Sequence, residues 1–289
     1  MPEPRPKRES TRPSSMVSMA DKDFRRFSEF IHTECGIKLP TSKKTMVEAR
    51  LQKRLRLLGM PSFREYNDYL FSPSGLSEEL SHLIDAITTN TTEFFRESKH
   101  FDIMRQVVLP HWVAMRGVVH PLRLWSAGCS SGEEPYTLAM VLSEYAEKTP
   151  GFRFTITATD ISSQVLEKAR RAVYPEDRVE GMTYDLKRKY LLRSKDRLRR
   201  LVRIVPDLRE RVTFSRLNFM EEFSFKDPMD IIFCRNVMIY FDRPTQETLL
   251  NKFCRQLRKD GHLFIGHSES LTGMDLPLRQ VSPTVYRRT

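Results

Sequence analysis

No run in the 289 residues approaches the roughly 20 consecutive apolar residues that span a bilayer, so direct membrane insertion is not expected. The first residues, MPEPRPKRESTRPSS, are proline-rich and basic and have no apolar core, which excludes a secretory leader and leads us to expect a disordered tail over 1–20. There are only four cysteines, Cys35, Cys129, Cys234 and Cys254, and they are scattered without metal-ligand spacing. That excludes a disulfide scaffold and a thiolate metal site, and fits reduced thiols in a cytoplasmic protein with no metal. Also missing are the lysine of a GK[ST] phosphate loop and the three-glycine dinucleotide fingerprint.

What the chain does have is centred on Leu122 to Met140. Leu122, Leu124 and Trp125 read as a buried strand, Gly128 and Gly132 free the backbone to turn, and Pro135 suits the first turn of a helix. A strand, glycine loop and helix in that order build a nucleotide-type pocket. Glu133 and Glu134 stand where a dinucleotide enzyme would place a pyrophosphate, and two carboxylates there would repel it. A cationic cofactor without phosphate fits better: S-adenosylmethionine carries a sulfonium and an ammonium that acidic groups can hold. Taken singly, the loop also fits an ordinary tight turn.

Upstream, Phe24, Phe27, Phe30 and Ile31 recur at helical spacing from Asp21 to Cys35, and Gly36 supplies a stop. Further helices are predicted from about Ser42 to Leu58, from Ser62 to Leu70 behind the capping box Ser62 and Glu65, and from Ser77 to Thr88. In the last of these Leu80, Leu83, Ile84 and Ile87 face inward. Residues 21–89 therefore read as a helical domain and 90–289 as a second domain, joined by the poor helix formers Asn90, Thr91 and Thr92 ahead of Phe94, Phe95 and Arg96.

In the second domain strands and helices alternate. FRFTITATD (Phe152 to Asp160) is followed by a helix capped at Ser162 or Ser163 and running through Tyr174. VTFSRLN ends at Asn218, MDIIFCRN ends at Asn236, a helix opens near Pro244, and GHLFIGHSE is the next strand. The class is α/β: a doubly wound, mostly parallel sheet with its site at the strand C-termini. An acid such as Asp160 at the end of the second strand either receives a ribose diol or caps the following helix. The amides of Asn218 and Asn236 can both donate to and accept from an adenine edge.

The net charge of +11 invites nucleic acid or an acidic protein surface, and two regions carry it. On the second helix Lys43, Arg50, Lys53 and Arg54 form a stripe beside the apolar one made by Val47, Leu51, Leu55 and Leu58. Such a stripe is either a solvated face or a surface that docks an acidic, partly apolar helix; with Glu48 the one acid on this helix, intrahelical ion pairs are scarce. The second region, 187–211, has eleven Lys or Arg against three acids and contains LVRIV (Leu201 to Val205), a strand of an inserted β unit. Nucleic-acid binding calls for aromatics among the basic residues, and only Tyr190 is available.

TTNTTEFFRE from Thr88, SAGCSSGEEPY from Ser126, ATDIS with VLEKAR from Ala158, LN at Leu217, FCRNVMIYFD from Phe233 and GHSE from Gly266 together resemble the CheR-type family of chemotaxis receptor glutamate methyltransferases. Their order runs over nearly the whole chain from Asp21. The resemblance implies a class I methyltransferase fold with a small all-helical N-terminal domain, the donor S-adenosylmethionine and its product S-adenosylhomocysteine. It matches Asn90, Thr92, Arg96, Glu134, Asp160, Asn218, Phe219, Arg235 and Asn236 to cofactor contacts, and sets Arg96 and Tyr240 beside the transferable methyl. It also implies a cytoplasmic, monomeric enzyme whose acceptors are glutamates on the cytoplasmic helices of methyl-accepting chemotaxis proteins, docked by the basic second helix.

The chemistry agrees with that resemblance. A glutamate is ionised at neutral pH, so its methylation is an in-line displacement that needs alignment and exclusion of water but no general base. Arg96 can orient the carboxylate and Tyr240 can hydrogen-bond it or border the methyl. The competing classes are an RNA methyltransferase, favoured by the basic insertion, and a cofactor-binding signalling module without turnover. Some members of the family hold a receptor C-terminal peptide as an extra strand on the inserted β unit, next to a glycine-containing turn. Here the turn is SKDRLRR (Ser194 to Arg200), without glycine, so independence of such a peptide is expected.

Overall fold

The computed structural model describes residues 18–289, so the expected tail over 1–20 lies, up to residue 17, outside the described residues. The helical unit starts with α1 (Asp21–Cys35), which buries Phe24, Phe27 and Ile31 and stops where Gly36 turns left-handed with φ 71°. After a short 3₁₀ turn, α2 (Lys44–Leu58) turns Val47, Leu51 and Leu55 into the same core. In α3 (Phe63–Leu70) the Ser62 hydroxyl accepts from the Glu65 N–H, as a capping residue should. The next helix, α4 (Pro73–Ile87), begins a full turn earlier than its apolar spacing suggested, because Ser72 caps it and Pro73 fits its first turn.

After an extended strap (88–93), α5 (Lys99–Ile103) passes through a π turn into α6 (Leu109–Arg116). The alternation then begins: β1 (Leu122–Ala127), α7 (Glu133–Lys148), β2 (Phe154–Asp160) and α8 (Ser163–Arg171). An insertion follows, with β3 (Val173–Pro175), α9 (Tyr184–Tyr190), β4 (Leu191–Arg193), β5 (Leu201–Ile204) and α10 (Pro206–Glu210). The main sheet resumes with β6 (Val212–Arg216), β7 (Met229–Cys234), α11 (Arg243–Gln256), β8 (Leu257–Ile265), β9 (Leu278–Ser282) and β10 (Val285–Arg288).

The seven main strands lie in the order β6-β2-β1-β7-β8-β10-β9. Pairing is parallel from β6 to β8, and β10 is antiparallel to both its neighbours. This is the doubly wound, Rossmann-like arrangement that the resemblance implies, with a helical N-terminal domain and a small β insertion. The strand order reverses at β1, so the crevice at the C-terminal ends of β1, β2 and β7 is where the fold places a ligand. Apolar clusters fill both faces of the sheet, one around Leu124, Tyr136 and Phe233, the other around Trp125, Phe253 and Ile232.

Two expectations need correction. The inserted sheet, ordered β3-β5-β4, begins at Val173, so the insertion is longer than the basic segment 187–211. The helix expected to run through Tyr174 ends at Arg171, because Ala172 turns left-handed at φ 53° and sends Tyr174 into β3.

Candidate active site

A cleft of about 1080 Å³, including its open mouth, lies between the helical unit and the C-terminal edge of the sheet. The helical unit supplies Cys35, Ile37, Leu39, Lys43, Met46 and Ile87 to its wall. Every position matched to a cofactor contact lines it, as does Tyr240, but these side chains are not equally free.

Asp160, 8% exposed at the end of β2, accepts from the Ser130 N–H at 2.8 Å with one oxygen and from the Ser162 N–H at 3.0 Å with the other. Burial raises its pKa, against these hydrogen bonds, and each oxygen keeps a lone pair toward the cleft. Gly128 gives β1 its tight exit at φ 84°, and a Cβ there would meet Val237 Cγ2 at 2.5 Å. Of the two loop acids only Glu134 lines the cleft; Glu133 is 1% exposed and turned away, paired with Arg178 at 2.8 Å.

Arg235 is committed elsewhere. It is 7% exposed, donates to Glu134 at 2.8 Å and to the Arg96 carbonyl at 2.7 Å, and approaches Glu97 at 3.4 Å. His100 lies 3.2 Å from the same guanidinium; since Arg only donates, His100 Nδ1 accepts and its Nε2–H donates to Thr284 Oγ1 at 2.7 Å. Burial, then Arg235, push His100 down to about 4. Glu97, His100 and His267 bring ligand atoms within 4.8 Å of one another, but a cation there would compete with that guanidinium.

Asn218 is partly engaged: its Nδ2 donates to the Glu34 carbonyl at 2.6 Å and its Oδ1 accepts from the Met220 N–H. The amide thus ties α1 to the sheet domain and still has one N–H and one lone pair unused. Phe219 lines the cleft and packs on Trp125 and Phe253, and Asn236, left-handed at φ 59°, donates from Nδ2 to Glu97 at 3.4 Å.

The strap 88–92 borders the cleft and is held by four side chains. Arg50 donates to the carbonyls of Ile87 and Thr88, the Ser130 hydroxyl to that of Asn90, Arg96 to that of Thr91 at 3.0 Å, and Arg178 to that of Thr92. Beyond it, Arg96 sits between two left-handed residues, Phe95 at φ 57° and Glu97 at φ 55°, a strained turn that fixes where its side chain leaves the backbone. At the mouth, Tyr240 has Lys43 Nζ over its ring at 5.6 Å, and its carbonyl accepts from the Lys38 N–H.

Two features escaped sequence reasoning. Glu269, in GHSE, is 8% exposed and accepts from the N–H groups of Gly266, Asn236, Val237 and Met238, clamping the loop that carries Asn236 and Tyr240. Its burial raises its pKa against those four bonds. A carboxylate three residues past a strand-ending glycine was the available signal. The basic stripe is the other. Arg54 makes a two-pronged bond to Glu79, which is 2% exposed, at 2.8 and 2.5 Å, and Arg50 serves the strap. Lys43 faces the cleft, and Lys53 is the one member of that set left exposed.

Residues 90–287 match the family model described as CheR methyltransferase, SAM binding domain, and residues 22–88 match CheR methyltransferase, all-alpha domain. The chain is 42% identical over 276 residues to the chemotaxis protein methyltransferase of Borreliella burgdorferi, covering 94% of this chain and 96% of that one. It is 40% identical to chemotaxis protein methyltransferase 2 of Pseudomonas aeruginosa, covering 92% of each. It is 38% identical to the chemotaxis protein methyltransferase of Escherichia coli, covering 93% of this chain and 92% of that one.

Proposed function

The chain belongs to the CheR methyltransferase family, and we propose that it transfers a methyl group from S-adenosylmethionine to glutamate side chains on the cytoplasmic helices of chemoreceptors. The observation that carries this reading is the charge of the cleft. Its buried end is acidic, with Asp160 and Glu134, and its mouth carries Lys43 and Arg96 beside Tyr240. The cations that touch the glycine-loop acids, Arg235 and Arg178, are occupied by Glu134 and Glu133, so neither is free for a phosphate at that loop. A nucleoside bearing a sulfonium and an ammonium fits such a donor set.

In this reading Asp160 receives the ribose hydroxyls, Glu134 the ammonium end, and the strap residues Asn90 and Thr92 with Phe219 and Asn236 enclose the rest. Asn218 ties α1 to the sheet domain and offers its remaining amide N–H and lone pair to the donor, while Arg235 acts by position, holding Glu134 in place. The bound donor supplies an activated methyl. The chain's residues align the acceptor: Arg96 is a forked donor for its carboxylate, and Tyr240 borders the methyl or donates to an acceptor oxygen. The helical wall and the strap exclude water, which leaves the carboxylate less solvated and more reactive.

Docking on chemoreceptors, as a cytoplasmic monomer, is part of the proposal. The surface for it on α2 is the exposed remainder of the helix: Lys53, Arg56 and Leu57, the last 65% exposed. We keep independence of a receptor C-terminal peptide within the reading, for a different reason than the charged turn. LVRIV carries β5 (Leu201–Ile204), the middle strand of its sheet, so a peptide strand would have to add beside β3 or β4, and these outer strands of three residues each offer little edge to extend.

The test is transfer of labelled methyl from the donor to a receptor cytoplasmic fragment, with an alkali-labile label, alongside calorimetry on Asp160→Ala. Loss of a charged acceptor for two hydroxyls should weaken donor binding by about 1.5–3 kcal/mol. Alkali-stable label, or full affinity in the variant, would count against the reading.

A further inference from the structure

The insertion touches the cleft at a point that neither the charge pattern nor the family motifs single out. Arg178, in the 3₁₀ turn after β3, reaches out of the insertion with one nitrogen, Nη2. That nitrogen donates to the Thr92 carbonyl at 2.5 Å and to Glu133 Oε1 at 2.8 Å. Glu133 is 1% exposed and its other oxygen accepts from the Ser131 hydroxyl at 2.7 Å, so Arg178 bridges the strap and the glycine loop through a buried carboxylate. A second insertion residue grips the same loop. The Tyr174 hydroxyl donates to the Ser131 carbonyl at 2.8 Å, its ring packs edge-on against Phe94 at 5.0 Å, and it stands where a Cβ on Gly132 would lie, 2.8 Å away. The strap has no secondary structure of its own to fix it, and of its carbonyl anchors, Arg50 at Thr88, Ser130 at Asn90, Arg96 at Thr91 and Arg178 at Thr92, Arg178 holds the residue nearest Phe94.

We propose that Arg178, supported by Tyr174, is a positioning residue through which the insertion sets the affinity of the cleft for its methyl donor. This rests on the reading of the cleft as a donor site. Without Arg178, the Thr92 end of the strap loses its side-chain anchor while Asp160, Glu134 and Tyr240 keep theirs. The donor then binds a looser strap and the ordering cost is subtracted from its affinity. Because binding equilibria are reciprocally linked, a partner that fixes the insertion in this pose tightens the donor, and the donor tightens that partner equally.

The experiment compares wild-type protein with Arg178→Met, Arg178→Lys and Tyr174→Phe, and with Arg188→Met, an exposed insertion arginine, as the control. Hydrogen exchange at the strap amides is read without ligand, and S-adenosylhomocysteine binding is read by calorimetry. Arg178→Met should speed exchange from Thr91 to Phe94 and weaken binding about tenfold, the usual worth of a charge-assisted hydrogen bond. Because a single nitrogen makes both contacts, Arg178→Lys should recover most of the loss; Tyr174→Phe should cost a few-fold, and Arg188→Met nothing. Should Arg178→Met fail to fold, the lysine and phenylalanine variants carry the comparison. Unchanged exchange at the strap, or unchanged affinity with a loosened strap, overturns the proposal. Failure of the wild-type protein itself to bind S-adenosylhomocysteine overturns the donor reading first and this inference with it.

Discussion

Helix α2 and the insertion are both strongly basic, yet they spend their charge in opposite ways. On α2 two arginines turn inward, Arg54 locked on buried Glu79 and Arg50 holding the strap, and Lys43, just ahead of the helix, faces the cleft beside Tyr240, while Lys53 and Arg56 stay exposed. On the insertion most cations stay at the surface, in pairs such as Arg199 with Asp196 or Arg200 with Glu176, where both partners are solvated. Arg178, outside the densest charge run, reaches buried Glu133 while its own side chain stays 41% exposed. A row of arginines on a helix is thus a scaffold where a buried acceptor faces it, and a solvated face where none does.

The sharpest way to break this contrast is Arg54→Glu. It leaves Glu79 without its partner and sets a second carboxylate against it, so the helical domain should lose about 3–5 kcal/mol by denaturant unfolding. Near-native stability would return Arg54 to the solvated class. Next comes Arg50→Ala, which removes the strap's anchor on the helical side. Donor affinity should fall about fivefold, with a smaller change in the Michaelis constant for receptor. The reverse split would make Arg50 a docking residue after all.

Reversing Lys53 and Arg56 together should raise the Michaelis constant for receptor a few-fold at low salt, an effect that fades as salt is added, with donor affinity untouched. Salt-independent loss would indicate misfolding rather than docking. Arg199→Ala with Arg200→Ala should be smallest: pairs this exposed contribute within about 0.5 kcal/mol of stability, measurable as an unchanged unfolding midpoint.

Much of this molecule was legible from local rules. Apolar spacing gave α1 its observed bounds, strands and helices alternated as read, and the motif residues converge on one cleft. These features follow from backbone propensity and from periodicities of 3.6 and 2, which a sequence carries directly. The start of α4 was missed because a serine–proline cap outweighs apolar spacing, and the start of the insertion because Tyr174 looks like a helix residue until Ala172 turns left-handed.

Only the tertiary structure decided what each polar side chain does once it reaches the cleft. Asn218 carries an adenine-competent amide, yet Glu34, far away in the chain, takes one of its two donors. Arg235 carries a cleft cation, yet Glu134 and the Arg96 carbonyl absorb it. Glu269 resembled a strand terminus, yet four backbone N–H groups converge on it. The physical reason is common to all three. A buried donor or acceptor must be satisfied by whatever the fold brings near, and that partner is set by three-dimensional closure rather than by spacing along the chain.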